Sequence, residues 1–231
     1  EFNRLNTLGI DLKNSLAHCL TAEKNGVRAG EISGCTVGLS SGTGELRGLF
    51  LVSPDERVLH SAHFLAKNLR RSIFQKHRIG YFIRADADLY DSAAGKRLQF
   101  RHFNLELPID ESAMSLDEFD PTTLFAPTST LRKIGRLKRA GKIKLTNLEH
   151  ILTGAENLDP LDRYHLELDF GLPISQVYQC TEGFIAYTCA SGRWHFNEDL
   201  LIIEKEYLDD EKKRFVPIIT DLYLLVHPYV R

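Results

Sequence analysis

Three short stretches of the 231-residue chain combine small residues with oxygen donors in ways that suit an anion, a metal ion or a planar ring. The first runs Ser40, Ser41, Gly42, Thr43, Gly44, Glu45, Leu46, Arg47, Gly48 and follows the apolar segment 35–39. Glycines let backbone N–H groups converge on one anion, hydroxyls add donors, and Arg47 adds a fixed positive charge. No Lys-Ser/Thr pair closes it as in a P-loop, and an ordinary strand-to-strand connection also accounts for it. The second stretch is Tyr178, Gln179, Cys180, Thr181, Glu182, Gly183, at the end of an expected strand. A threonine and a glutamate side by side there can serve a phosphate and its Mg²⁺, although the same pair also suits a helix cap. The third, Thr153, Gly154, Ala155, Glu156, is a small-residue turn that would let a planar ring lie against the backbone.

Other chemistry-bearing residues have plainer explanations beside the functional ones. His60 and His63 stand three apart on an expected helix, the spacing of a metal pair, with no third ligand following in sequence. Cys180, Cys189 and His195 could supply soft ligands to a structural zinc. Arg132, Lys133, Arg136, Lys138, Arg139, Lys142 and Lys144 form a positive run, a solvated helix face or a surface for a nucleic acid, coenzyme A phosphates or an acidic carrier protein. Trp194 and Tyr178 could stack on a ring, or Trp194 could belong to the core.

The elements that must position these residues follow from periodicity. Apolar spacing indicates a helix over 1–24 and a second from Ser53-Pro54, as N-cap and first helical residue, to about 76, with Val58, Leu59, Ala62, Leu65, Ala66, Leu69 and Ile73 on one face. Further helices are expected from Pro127 and from Asp159-Pro160 to about 169. Strands are expected at 35–39, 49–52, 79–83, 98–105, 148–153 and 174–178, then in quick succession at 184–189, 193–196, 200–204 and 215–220. The fold class is therefore α/β, a layered sheet with helices, plus a small strand-rich C-terminal part.

Composition narrows the class further. With 43% apolar residues the chain can bury a sizeable core, and 29 basic against 31 acidic residues give a net charge of −2. That balance argues against a dedicated nucleic-acid binder. No apolar run reaches the ~20 residues of a membrane span, so neither nucleic acid nor membrane is expected as a partner. Four cysteines without CxxC spacing fit a reducing, cytoplasmic setting.

Taken in order, the motifs resemble those of the adenylate-forming (AMP-binding, acyl-activating) superfamily, in its phenylacetate–CoA ligase-like branch. Ser40 to Gly48 is similar to the family's phosphate loop, and Phe125 to Ser129 to its Pro-Ser segment. Gly154-Ala155-Glu156 resembles Gly-Gly-Glu, and Tyr178 to Glu182 resembles Tyr-Gly-x-Thr-Glu. Trp194 to Asp199 resembles a His-x-x-Glu-Asp stretch, and His227 to Arg231 the segment continuing as Tyr-Arg-x-x-Asp.

The resemblance implies ATP-dependent activation of a small carboxylic acid to an acyl-adenylate, then transfer to a thiol such as coenzyme A or the pantetheine of an acyl carrier protein. It assigns ATP phosphates to Ser40, Ser41, Gly42, Thr43, Gly44, Arg47 and Gly48, and the adenine of ATP or AMP to Gly154, Ala155, Glu156, Tyr178 and Gln179. Catalytic roles fall to Thr181 and Glu182, with Glu182 also the Mg²⁺ ligand.

The resemblance also implies a fragment of the family's large N-terminal domain, with a nucleotide-binding core at 1–183 and a β-rich portion at 184–231. The sequence would stop before the ribose-binding Asp and the C-terminal lid, leaving the fragment inactive alone. Departures from the pattern are Gly44 for Ser/Thr, Glu45 for Gly, Ala155 for Gly and Gln179 for Gly. The competing readings are a nucleotide-binding remnant without catalysis and a basic-helix docking module.

Overall fold

The computed structural model describes residues 2–25, 27, 29–39, 48–83, 94–105, 107–180 and 183–226. Its first helix is broken where the periodicity leads one to expect continuity: α1 (Phe2–Leu5) and α2 (Leu12–Lys24) replace a single helix over 1–24. Gly9 takes φ +65°, and Asp11 then restarts the helix by accepting the Asn14 N–H as N-cap. β1 (Glu31–Ile32), β2 (Cys35–Leu39) and β3 (Leu49–Val52) form a small antiparallel sheet, covered by Ile10 and Cys19.

α3 (Pro54–Asn68) opens on the expected Ser53-Pro54 pair, with a complete capping box between Ser53 and Glu56. It stops eight residues sooner than expected. The Asn68 amide bonds back to the Phe64 carbonyl, Leu69 turns extended, and Arg70 swings onto Ser175 at 3.2 Å. Its inward residues are Glu56, Ser61, Phe64 and Asn68, while Val58 and Ile73 are exposed, contrary to the expected apolar face.

The main sheet has seven strands in the order β10-β9-β8-β7-β6-β4-β5. Five are parallel: β4 (His77–Ile83), β5 (Leu98–Asn104), β6 (Thr123–Phe125), β7 (His150–Thr153) and β8 (Ile174–Cys180). β9 (Gly183–Thr188) and β10 (Trp194–Phe196) extend it antiparallel, and β11 (Leu201–Tyr207) pairs with β12 (Phe215–Asp221) in a separate ribbon.

Between parallel strands run α4 (Ile109–Phe119), α5 (Thr128–Arg139) and α6 (Pro160–Phe170). Alternation along each strand feeds two cores. Ile151, Phe82 and Phe103 join Leu116, Leu131, Ile134 and Leu166 of these three helices, whereas Leu152 and Val177 pack with Phe64 of α3. Helices thus cover both faces of the sheet. No helix among the described residues is long and apolar enough to cross a membrane.

Candidate functional site

The carboxyl ends of the parallel strands open on a cavity of about 1610 Å³. Its wall includes Ile83 from β4, His102 and Asn104 from β5, Thr153 from β7 and the 176–180 segment of β8. This is where open α/β sheets bind ligands, because side chains and backbone at strand ends converge there without disturbing the core.

Three of the segments singled out by sequence meet at this edge. The turn after β7 is bonded to the start of α5: Thr128 and Thr153 share a hydroxyl hydrogen bond of 3.1 Å, and both Glu156 carboxylate oxygens accept from Ser129, its N–H at 2.7 Å and its Oγ at 2.8 Å. Glu156 therefore caps α5, which has no cap from its own preceding residue. Gly154 lets the turn lie against β8, since a Cβ there would sit 3.0 Å from Val177 Cγ2 and 3.2 Å from Phe125 Cε2. Ala155 is held at φ +65°, a conformation that favours glycine. Ala155, Glu156, Tyr178 and Gln179 all line the cavity, and Gly154 shapes its wall from behind. Tyr178 is 48% exposed at this edge.

Gln179 departs from that arrangement in an informative way. Its Nε2 lies 3.0 Å from His60 Nε2 on α3. Desolvation, and then the neighbouring His63, push His60 down to about 4, so its ring is neutral at pH 7 and accepts from the Gln179 amide. The sequence spacing suggests His60 and His63 as a metal pair, and nothing in it signals this contact with β8. Among the described residues no three His, Cys, Asp or Glu side chains form a metal site, so neither the histidine pair nor the Cys180, Cys189, His195 set is completed. Cys189 instead bonds Ser191 Oγ at 2.9 Å, and that bond, with His195 nearby, brings its thiol down to about 6.

The opposite wall comes from the small sheet and the chain's last described turn. Gly38, Leu39, Phe50 and Val52 line the cavity from the strands flanking residues 40–47. Glu56, also in the wall, accepts the Leu225 and Val226 N–H groups through one oxygen and the Ser53 N–H through the other. Sequence reading missed this role, because a glutamate at the third helical position reads only as half of a capping box. Trp194, 50% exposed, and Asp221 complete the rim. Asp221 accepts from the Tyr223 and Leu224 N–H groups at 2.8 and 2.9 Å. No lysine or arginine appears among the described lining residues. Ser40, Ser41, Gly42, Thr43, Gly44, Arg47, Thr181 and Glu182 lie outside the described residues, and Gly48 directly precedes β3.

No family model and no curated protein matches the sequence. Solved structures do share the fold. An open form of 2-hydroxyisobutyryl-CoA ligase, solved with 2-HIB-AMP and CoA, superposes with a TM-score of 0.63 at 16% identity, over 83% of this chain and 50% of that one. The anthranilate CoA ligase AuaEII with anthranoyl-AMP gives 0.58 at 12% identity, covering 83% and 40%. A long-chain-fatty-acid-CoA ligase from Archaeoglobus fulgidus gives 0.55 at 12%, covering 80% and 41%. The chain spans half or less of the length of each of these structures. At such identities the likeness establishes the fold, which is the one these ligases have.

Proposed function

We propose, from the fold of the adenylate-forming ligases, that this chain is the nucleotide-binding part of an enzyme that activates a carboxylic acid with ATP. One observation carries the reading: Ala155, Glu156, Tyr178 and Gln179, from two segments that each resemble a family motif, line the cavity at the carboxyl ends of β7 and β8, and the 125–129 segment is hydrogen-bonded to the first of them. In this reading the division at residue 183 separates the nucleotide-binding core from the β-rich portion.

A substrate carboxylate oxygen attacks the α-phosphorus of ATP as the bond to the β-phosphate breaks, giving an acyl-adenylate and pyrophosphate. A thiolate, of coenzyme A or a carrier pantetheine, then attacks the acyl carbon and AMP leaves. Adenine lies between the Tyr178 ring and the 153–156 turn, whose closeness to β8 depends on Gly154. The 40–48 loop holds the leaving phosphates, Thr181 donates to the α-phosphate, and Glu182 holds Mg²⁺. Arg47 and that ion supply positive charge that the described wall lacks, offsetting the repulsion between carboxylate and phosphate. The resemblance to the phenylacetate–CoA ligase-like branch suggests an aryl acid, with a fatty acid as the alternative.

The cavity at the strand ends also suits a second reading, nucleotide binding without catalysis. Exchange of labelled pyrophosphate into ATP, measured on the full-length protein with a panel of acids, separates the two. The enzyme reading expects exchange that requires an acid, is strongest with aryl acids, and falls at least 100-fold in Thr181→Ala and Glu182→Ala. ATP binding without exchange would leave the second reading. Exchange untouched by the two substitutions together would overturn the site.

A further inference from the structure

The helical layer on the face of the sheet opposite α3 carries a surface that the nucleotide site does not use. α5 and α6 lie side by side, joined by Arg132–Asp162 and Arg139–Asp169 ion pairs of 2.9 Å each. On α6, Leu166 and Phe170 are buried in the core, yet Leu161, Tyr164 and Leu168 point to solvent, 65%, 58% and 63% exposed. They stand at i, i+3 and i+7, a single stripe roughly 10 Å long on the helix's outer side. On α5, Lys133 and Arg136 are exposed, and Lys142 and Lys144 continue the positive row past its end. None of these four has a carboxylate partner among the described residues, in contrast to Arg132 and Arg139.

We propose that the α5–α6 face docks an acidic amphipathic helix of a partner protein. Its apolar stripe would lie on Leu161, Tyr164 and Leu168, with carboxylates along one flank meeting Lys133, Arg136 and Lys142. The dimensions suit a helix. An i, i+3, i+7 stripe is matched by another of the same period, and a row of cations one interhelical spacing away (about 8–10 Å) reaches the flank of the docked helix. Charge complementarity gives the partner's sign: the chain as a whole is at −2, so the positive row is a local feature. The neighbouring helix fixes the partner's width. α4, which packs against α5, turns Asp110, Glu111 and Glu118 outward, so a broad anionic surface laid over the layer would meet carboxylates within one helix of the basic row. A single helix would not.

A fluorescein-labelled designed peptide tests this, one with leucines at i, i+3 and i+7 and glutamates along one flank, titrated into the full-length protein and read by anisotropy. The proposal expects saturable binding that weakens at least 10-fold in Leu161→Ser/Leu168→Ser and in Lys133→Glu/Arg136→Glu, and falls as salt is raised. It also expects a peptide with lysines in place of the glutamates to bind the Lys133→Glu/Arg136→Glu protein in preference to the parent. All four positions are exposed, and unchanged melting confirms that the variants fold. No binding, or binding indifferent to these substitutions, overturns the proposal. So does sedimentation with phosphatidylserine vesicles that the same substitutions abolish, or a self-associated state that they dissolve, since the face would then belong to a bilayer or a second copy.

Discussion

At the scale of single residues, the turn 153–156 sets two adjacent positions against each other. Gly154→Ala would bring a Cβ within 3.0 Å of Val177 Cγ2 and 3.1 Å of the Val177 carbonyl oxygen, neither of which is at the end of a long flexible side chain. It should cost about 1–3 kcal/mol and push the turn away from β8. Ala155→Gly should do the reverse, releasing the cost of φ +65°, a gain of up to about 1 kcal/mol once glycine's greater unfolded-state freedom is counted. Paired melting curves check both signs, and equal effects would refute this picture of the turn. The sequence made these positions visible as a Gly-Ala-Glu run, and the structure adds why each matters. Glu156 was legible as a site residue, but its two bonds to Ser129 could not be read, because they join residues 27 apart. His60 was hidden for a similar reason: only the packing of α3 on β8 and β9 brings it to Gln179.

Among the elements, legibility follows how much each one declares itself locally. α6 is framed by Asp159-Pro160 at its start and Gly171 at φ +70° at its end, and sequence and structure agree on it to within a residue. β2 and β3 are apolar runs read with the right bounds. β6 is three residues, Thr123 and Leu124 buried and Phe125 partly so, too short for alternation to register, and α4 follows Pro108, which gives it no side-chain cap. Both declare themselves only through partners. Asp117 on α4 accepts the Lys144 and Leu145 N–H groups, and Asp120 accepts that of Asn147, so α4 also holds the loop leading to β7.

Glu56 is the clearest case of an element-level device. It closes the α3 capping box and clasps Leu225 and Val226, whose carbonyls receive Thr7. Glu56→Ala should cost more than the ~1 kcal/mol of an ordinary cap, for which Asp159→Ala on α6 is the control. Denaturant titrations of the two variants compare them directly, and equal losses would mean that the clasp adds nothing.

For the molecule as a whole, pH offers a reading of the same packing. His150 is buried at the start of β7 beside Arg70 and Ser175, and desolvation followed by the Arg70 charge brings it down to about 4. His60 is brought to the same range in the cavity wall. Both values lie below the ~6.5 of an unfolded histidine, so the unfolded chain takes up protons first as the pH falls. Their stabilising effect is complete above pH 6.5 and is lost between pH 6.5 and 4, at up to about 1.4 kcal/mol per unit for each histidine. Melting temperatures should therefore decline through that window, and more gently in His150→Gln. A flat profile would contradict the desolvation of both rings.

The cavity at the strand ends is proposed as an adenine-nucleotide site. The most direct test is a calorimetric titration of ATP with Mg²⁺ into the full-length protein and into Tyr178→Ala, a half-exposed residue whose loss should leave the fold intact. Saturable one-site binding, weakened about 10-fold or more by loss of the stacking ring, is the result expected. No binding, or binding that Tyr178→Ala leaves unchanged, would contradict it.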